Sequence, residues 1–181
     1  MSTDESDLIR RAIQGDREAF GDLVTAYQTV AFRVAFRMLG NQEDAEDATQ
    51  EAFLRAFHAM DRFDPARAFG PWIKKITANL CLNLLERKTV LSWDPDWLPS
   101  AQDPEPTPEE QSELRDRNAR IRAALLQLPP RYRAAIELRH FQGLTYSEMA
   151  DALDCPLTQV KSDLYRARQI LIDRTSAILH L

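Results

Sequence analysis

The sequence predicts an all-α protein, with two small helical domains joined by an acidic, proline-rich linker. Apolar residues recur at three- and four-residue spacing along most of the chain, and no stretch alternates like a strand. Half of the ten prolines fall between Trp93 and Pro108, and residues 94–113 carry seven acidic side chains and no basic one. Such a segment repels itself and cannot bury a core. We therefore predict domains at residues 1–90 and 114–181, with a flexible linker at residues 91–113.

Composition favours a globular protein that is reduced and cytoplasmic. Of its 181 residues, 44% are hydrophobic and 28% charged. No apolar run approaches the roughly 20 residues that span a membrane, and the acidic N-terminus lacks the apolar core of a signal peptide. The two cysteines, Cys81 and Cys155, are distant and imply no disulfide framework. The three histidines are scattered, so we expect neither a metal site nor a cofactor.

The charge distribution points to two different partners. The net charge of −5 at first argues against nucleic acid. However, residues 1–114 have a balance of −9, whereas residues 115–181 have a balance of +4. A basic C-terminal part on an acidic body indicates a local DNA footprint and a second, differently charged partner.

Four helices are predicted in the N-terminal domain. The first covers residues 4–14, and the second begins after Asp16 as a capping residue and ends at Gly40. The third begins near Gln42 with an acidic opening and runs to about residue 60. The fourth begins at Pro71, which suits a first helical turn, and runs to about residue 88.

The C-terminal domain is predicted to end in a helix-turn-helix. Helices at about residues 113–127 and 131–141 precede it. Thr145 and Glu148 form a capping box for the next helix, and Pro156 ends the turn that follows. The last helix has one apolar stripe and one polar, cationic face, which is typical of a helix that enters the DNA major groove. An ordinary antiparallel helix pair with a solvated face remains the alternative interpretation.

Three stretches, taken together, resemble one family. They are NQEDAEDATQEAFLRAF from Asn41, FDPARAFGPWIKKITANLCLNLLERK from Phe63, and LPPRYRAAIELRHFQGLTYSEMADALDCPLTQVKSDLYRARQIL from Leu128. Their content and order resemble the extracytoplasmic-function sigma factors, the small two-domain members of the bacterial sigma-70 family. The resemblance implies a region 2 that binds polymerase and melts the promoter −10 element, and a region 4 that recognises the −35 element.

The resemblance also implies the partners. They are core RNA polymerase, through the β′ clamp coiled coil and the β subunit, promoter DNA and an anti-sigma factor, with no membrane insertion and no enzymatic activity. The acidic third helix matches the family segment that binds the β′ clamp coiled coil, and five carboxylates within about nine residues exceed what a helix dipole needs. We call the residues predicted here the polymerase set: Asp44, Glu46, Asp47, Gln50, Glu51 and Arg55.

The fourth helix and the loop before it match the segment that melts the −10 element. Unpaired bases are held by aromatic stacking, cationic side chains and polar groups. Asn79 is the strongest candidate for contact with an unpaired base, whereas Trp72 lies on the apolar stripe and is interpreted as core. The −10 set comprises Phe63, Arg67, Phe69, Lys74, Lys75, Asn79, Asn83, Arg87 and Lys88.

In the last helix, N-terminal residues are expected to reach base edges and later basic residues to contact phosphate. The base-contact candidates are Thr158, Gln159, Lys161, Ser162 and Arg166. The candidates for backbone contact or helix packing are Arg131, Arg133, Tyr146, Tyr165 and Arg168. Together these ten residues form the −35 set.

Two other classes of protein would explain part of this sequence. A free-standing helix-turn-helix regulator explains the last two helices, but it leaves the acidic helix and the linker without a role. A metal enzyme built on the N-terminal carboxylates would need Glu-x-x-His pairs that face inward. No glutamate of the N-terminal domain has a histidine three positions later.

Overall fold

The computed structural model describes residues 3–91 and 121–179, and every regular element in them is helical. The N-terminal part contains α1 (Thr3–Ile13), α2 (Arg17–Leu39), α3 (Gln42–His58), a 3-10 turn (Met60–Arg62) and α4 (Phe69–Leu91). The C-terminal part contains α5 (121–126), α6 (Pro130–Ile136) with a π-helical continuation (Glu137–Phe141), α7 (Tyr146–Ala152) and α8 (Leu157–Leu179).

The all-α prediction is confirmed. Residues 92–113 of the predicted linker lie outside the described residues, so the domain boundaries stay a prediction. In the part of the chain that the structure describes, no helix combines the length and apolar character needed to cross a bilayer.

Capping residues set the helix boundaries in the N-terminal part. The Asp16 carboxylate accepts hydrogen bonds from the amides of Glu18 and Ala19 at the start of α2. Gly40 ends α2 with a φ of +84°, in the left-handed region that favours glycine. Asn41 then caps α3 by accepting from the amide of Asp44. Helix α4 is longer than predicted, since it begins at Phe69, two residues before the expected proline, and runs to Leu91.

Helix α2 lies at the centre of the N-terminal bundle and packs against α1, α3 and α4. Its buried residues contact the small, aliphatic and aromatic side chains that α3 and α4 bury against it. The largest fully buried side chains of this bundle are Ile9, Leu23, Val34, Met38, Phe69 and Ile73.

The helix-turn-helix has the predicted form. The Thr145 amide donates to Glu148 at 2.7 Å, and the Thr145 hydroxyl accepts from the Glu148 amide, which completes the capping box. Asp154 adopts a φ of +46° in the turn between α7 and α8. On α8 the predicted stripe is buried, with Val160, Leu164 and Ala167 packed towards the core. This packing turns the polar face of α8 outward.

The two parts of the chain touch at a junction formed by Arg37, Met38, Gly40, Leu126, Arg133, Glu137 and Phe141. Arg37 forms a bidentate ion pair with Glu137, with nitrogen–oxygen distances of 2.6 and 2.7 Å. A Cβ at Gly40 would lie 2.8 Å from the Leu126 side chain, so the backbone approaches α5 closely here. The sequence indicated two separate domains, and it gave no signal for this contact.

Candidate functional site

The polymerase set lies along α3, and most of its side chains are accessible. Glu46, Asp47, Gln50 and Arg55 are exposed, and Glu51 is half-buried. Arg55 pairs with Glu51 one turn earlier at 2.7 Å. Because this pair forms between two residues of α3, the other carboxylates of the helix still face solvent.

Asp44 differs from the rest of the polymerase set because α4 already occupies it. Its carboxylate accepts from Lys88 at 2.6 Å and from the Asn41 amide group at 2.8 Å. The Lys88 ammonium and then Asn41 hold the pKa of Asp44 below its ordinary value. The structure therefore joins one residue of the polymerase set to one residue of the −10 set, and it gives both a role in fixing α3 against α4.

A shallow groove of about 360 Å³ runs between α2 and α3 beside the acidic residues. Its lining includes Gln28, Thr29 and Phe32 on α2, and Glu46 and Gln50 on α3. The Leu54 side chain, 55% exposed, lies on the same helix. Sequence reasoning missed Leu54, although its place outside the apolar stripe of α3 was a usable signal.

The prediction that Phe63 and Phe69 offer stacking surfaces is corrected. Both side chains are buried, at 6% and 0% exposure. The Phe63 ring lies 4.6 Å from the Trp72 ring, and Phe69 packs edge-on against Phe20, Phe63 and Trp72. Apolar rings are more stable in such a cluster than in water. The cluster therefore supports the start of α4 and the loop before it.

The polar residues of the −10 set lie along α4. Asn79 is half-buried, whereas Asn83 and Arg87 are exposed at successive four-residue steps, which places the three on one face. Lys74 is half-buried. In the loop, exposed Arg67 lies 3.5 Å from Asp64, a contact between two solvated side chains.

Lys75 faces the C-terminal part of the chain. It lines a polar cavity of about 600 Å³ together with Asp151, Asp154, Cys155 and Pro156. These four residues belong to the end of α7 and the turn of the helix-turn-helix. The start of α4 and this turn are therefore neighbours in the structure.

The recognition face of α8 is defined as the residues Thr158, Gln159, Lys161, Ser162, Tyr165, Arg166 and Arg168. Ser162 is half-buried and the others are exposed, with Tyr165 at 66%. The Arg166 guanidinium donates to the Tyr132 hydroxyl at 3.4 Å, and that contact raises the pKa of Arg166. Arg168 lies 3.5 Å from His140.

Three members of the −35 set, Arg131, Arg133 and Tyr146, lie outside this face. Arg133 is 6% exposed and donates to the carbonyls of Met38, Leu125, Leu126 and Leu128, so its role is helix packing. Burial lowers its pKa to about 10.

Tyr146 is half-buried beneath the Arg139 guanidinium, which lies 4.9 Å from the ring centre. Packing was one of the two interpretations offered for these residues, and the contacts of Arg133 agree with it.

A buried carboxylate lies behind the recognition face, and sequence reasoning missed it. Asp163 is 1% exposed. It accepts from the Gln159 side-chain amide at 2.6 Å and lies 3.5 Å from Arg131. Its position three residues after buried Val160, on the predicted stripe, was the available signal. No cluster of three metal-ligating side chains occurs within residues 3–91 and 121–179.

Comparisons with known proteins match both halves of the chain. The family model for Sigma-70 region 2 matches residues 23–90, and the model for Sigma-70, region 4 matches residues 118–171. The first match includes α3 and α4, which the interpretation as a free-standing helix-turn-helix regulator left without a role.

Curated relatives agree with the family models. The ECF RNA polymerase sigma factor SigE of Mycolicibacterium smegmatis is 36% identical over 88% of this chain, and the chain spans 63% of that relative's length. The RNA polymerase sigma-H factor of Pseudomonas aeruginosa is 33% identical, with 94% of each chain covered. The ECF RNA polymerase sigma factor SigW of Bacillus subtilis is 30% identical over 90% of this chain and 92% of its own.

Solved structures show the same fold. CnrH, in complex with the cytosolic domain of CnrY, superposes with a TM-score of 0.65 at 27% identity, covering 97% of this chain and 99% of its own. The sigma factor RpoE of Bartonella quintana, in complex with the anti-sigma factor NepR, also gives a TM-score of 0.65. It is 22% identical over 85% of this chain and 94% of its own, which shows the fold alone.

Proposed function

The chain belongs to the extracytoplasmic-function sigma factors of the sigma-70 family, which direct RNA polymerase to promoters and are not enzymes, and we propose how its surfaces divide that task. Helix α3 binds core polymerase, α4 holds the open strand of the −10 element, and α8 reads the −35 element. The observation that carries this division is the exposed chemistry of each helix: acidic and apolar on α3, amide and cationic on α4, hydroxyl, amide and cationic on α8.

The polymerase surface combines an apolar anchor with acidic neighbours. Asp47, Gln50 and Leu54 are exposed and lie three and then four residues apart, so they share one face of α3. Interfaces with an apolar centre and a charged rim are typical of specific protein partners. The acidic rim suits a basic coiled-coil surface and accelerates association with it.

The −10 surface is the line of Asn79, Asn83 and Arg87 on α4. Amide groups can pair with the edge of an unpaired base, and an arginine can contact the backbone beside it. The aromatic cluster beneath the start of α4 fixes the helix position. Since Phe63 and Phe69 are buried in that cluster, we propose them as supports for the surface and not as contacts with DNA.

The −35 surface is the recognition face of α8. Its N-terminal members, Thr158 and Gln159, are exposed next to the turn where a recognition helix enters the groove. Lys161, Arg166 and Arg168 are exposed cations on the following turns and suit phosphate or base contact.

We also propose an anti-sigma partner and a cytoplasmic location. The solved CnrH structure, at 27% identity, contains a second protein, the cytosolic domain of CnrY, on the same fold. A factor that works on core polymerase must be present where the polymerase and the chromosome are. We further propose that the chain contacts the β subunit of polymerase.

Transcription in vitro tests the proposal as a whole. The chain is combined with core polymerase and a library of genomic promoter fragments, and core enzyme alone is the control. We expect transcripts that begin at defined sites only when the chain is present. If no fragment gives such a transcript, the proposed function is wrong.

Charge reversal on α3 tests the polymerase surface. Asp47→Lys should weaken binding to core polymerase by on the order of tenfold, because it places a cation against a basic partner. Asp22→Lys, the same change at an exposed position of α2, is the matched control and should bind normally. Equal affinity for the two variants would remove α3 from the interface.

Asn79→Ala tests the −10 surface. We expect normal binding to core polymerase and reduced promoter opening, measured by permanganate reactivity of unpaired thymines. The reason is that an amide which contacts an unpaired base acts only after the strands separate. Equal losses in binding and opening would contradict the assigned role.

A further inference from the structure

The recognition face of α8 rests on a buried carboxylate. Asp163 is 1% exposed, and one of its oxygens, Oδ1, accepts from Gln159 Nε2 at 2.6 Å. The other oxygen, Oδ2, makes no hydrogen bond with good geometry and lies 3.5 Å from Arg131 Nε. A buried carboxylate is costly unless it is paired. Asp163 contacts Gln159 and Arg131, two residues of the −35 set, so these two contacts indicate its role.

The chemistry of the carboxylate fixes the orientation of the Gln159 amide. An amide side chain has one donor end and one acceptor end. The two ends are nearly equal in size, so packing alone does not determine which way the amide points. A carboxylate only accepts hydrogen bonds, so the Gln159 nitrogen must face Asp163. The Gln159 oxygen, an acceptor, is then the end left for a partner outside the protein. Gln159 is exposed near the start of α8, so under the proposed role of this helix that partner is DNA in the groove.

We propose that Asp163 is a positioning residue that makes Gln159 an acceptor-type base reader. This inference rests on the proposed role of α8 at the −35 element. Adenine and cytosine present an amino donor in the major groove, whereas guanine and thymine present a carbonyl oxygen. The locked amide therefore favours a base with an exocyclic amino group at one position of the −35 element.

Arg131 completes the arrangement from the other side. Its guanidinium has donors only, and it lies beside Oδ2 of Asp163. If the carboxylate is changed to an amide by Asp163→Asn, the new carbonyl oxygen will turn towards Arg131. The new amide nitrogen then faces Gln159, which must reverse to offer its oxygen inward. The donor end of Gln159 would then face the groove.

Binding of the holoenzyme to promoters with each of the four base pairs at every −35 position tests the proposal. The wild-type chain should prefer amino-bearing bases at one position by on the order of tenfold. Asp163→Asn should remove or reverse that preference and leave the other positions unchanged. An unchanged preference in Asp163→Asn would overturn the proposal.

Two further variants separate positioning from a structural role. In a Gln159→Ala background, Asp163→Asn should cause no additional change in base preference, because Asp163 acts through Gln159. Arg131→Ala should weaken binding to all sequences alike and keep the preference, because the carboxylate still accepts only. If Asp163→Asn reduces binding equally in both backgrounds at every base, Asp163 serves the fold and the proposal is wrong.

The same experiment distinguishes this inference from the proposed function. If the wild-type holoenzyme shows no dependence on the −35 sequence, the role of α8 itself is wrong. If it shows that dependence but Gln159→Ala leaves every base preference intact, the role of α8 survives and the inference about Asp163 fails.

Discussion

The junction between the two parts of the chain and the recognition face of α8 use the same residue types in opposite ways. At the junction, Arg133 and Glu137 are 6% and 2% exposed and are fully engaged by protein groups. On the recognition face, Arg166 and Arg168 are exposed. Desolvated charges hold helices together, and solvated charges remain free to exchange water for DNA. The difference shows that burial, more than residue type, decides the use of a cation.

The cost of burial explains why the junction needs so many partners. Burial lowers the pKa of Arg133 to about 10, which reports the loss of water around its charge. Four carbonyl groups from α2 and from the end of α5 and its following turn replace that water. All four lie at or just beyond a helix end, where carbonyls lack partners within the helix, so the arginine satisfies several helix termini at once, and Leu125 O also accepts from Leu128 N.

The largest effect is expected from Arg133→Met. This change keeps much of the volume but leaves several buried carbonyls without a donor, each of which costs about 1–3 kcal/mol. We expect the free energy of unfolding to fall by about 4 kcal/mol, measured by urea denaturation of the full chain. Arg168→Met is the matched control on the recognition face and should unfold like the wild type. Similar losses in both variants would show that the buried and the exposed arginine contribute equally to stability.

Glu137→Gln is expected to have the next largest effect. It leaves the Arg37 guanidinium at the junction without its bidentate carboxylate. The expected loss is about 2 kcal/mol, below the usual range for a buried pair because Arg37 remains 24% exposed.

Glu51→Gln breaks the exposed pair with Arg55 on α3 and is the control, with an expected loss under about 1 kcal/mol. Small-angle scattering provides a second readout for Glu137→Gln. The radius of gyration should rise if this pair holds the two parts of the chain together. An unchanged radius and an unchanged free energy of unfolding would show that the pair contributes nothing to the junction.

The sequence predicted what depends on local pattern. Periodicity predicted the helices, and the residues at Asp16, Gly40, Thr145 and Glu148 predicted where helices begin or end. The polar face of α8 was also predicted correctly, since the stripe at Val160, Leu164 and Ala167 dictates which side is buried. These features are set by residues within a few positions of each other.

What the sequence did not predict depends on contacts between distant residues. Phe63 and Phe69 were assigned to DNA because aromatic residues in a loop suit base stacking, yet both close a cluster that includes Phe20 and Trp72. Arg133 was predicted either to contact the DNA backbone or to pack between helices, and nothing in the sequence indicated that it meets Met38, 95 residues earlier in the chain. Spacing along one helix carries no information about such partners.

The Asp44–Lys88 pair is half-buried, intermediate between the buried junction and the exposed recognition face. Its effect on stability should depend on pH. Lys88 and then Asn41 lower the pKa of Asp44, so the ionised form stabilises the fold above the ordinary pKa of 3.8. That stability is lost as the pH falls through the lowered value. Asp44→Asn should therefore reduce Tm at pH 7, and the difference from the wild type should narrow below about pH 4. A difference that stays constant with pH would show that the carboxylate charge is not the cause.

Arg168→Ala is expected to have the smallest effect on stability, and its effect on DNA binding should appear in the salt dependence. Its guanidinium is exposed beside His140, so the free energy of unfolding should not change. If Arg168 contacts a phosphate, its loss should reduce the slope of log affinity against log salt by about 1, at all −35 sequences alike. Titration of the holoenzyme onto promoter DNA at several salt concentrations measures this slope. An unchanged slope would show that Arg168 does not contact a phosphate.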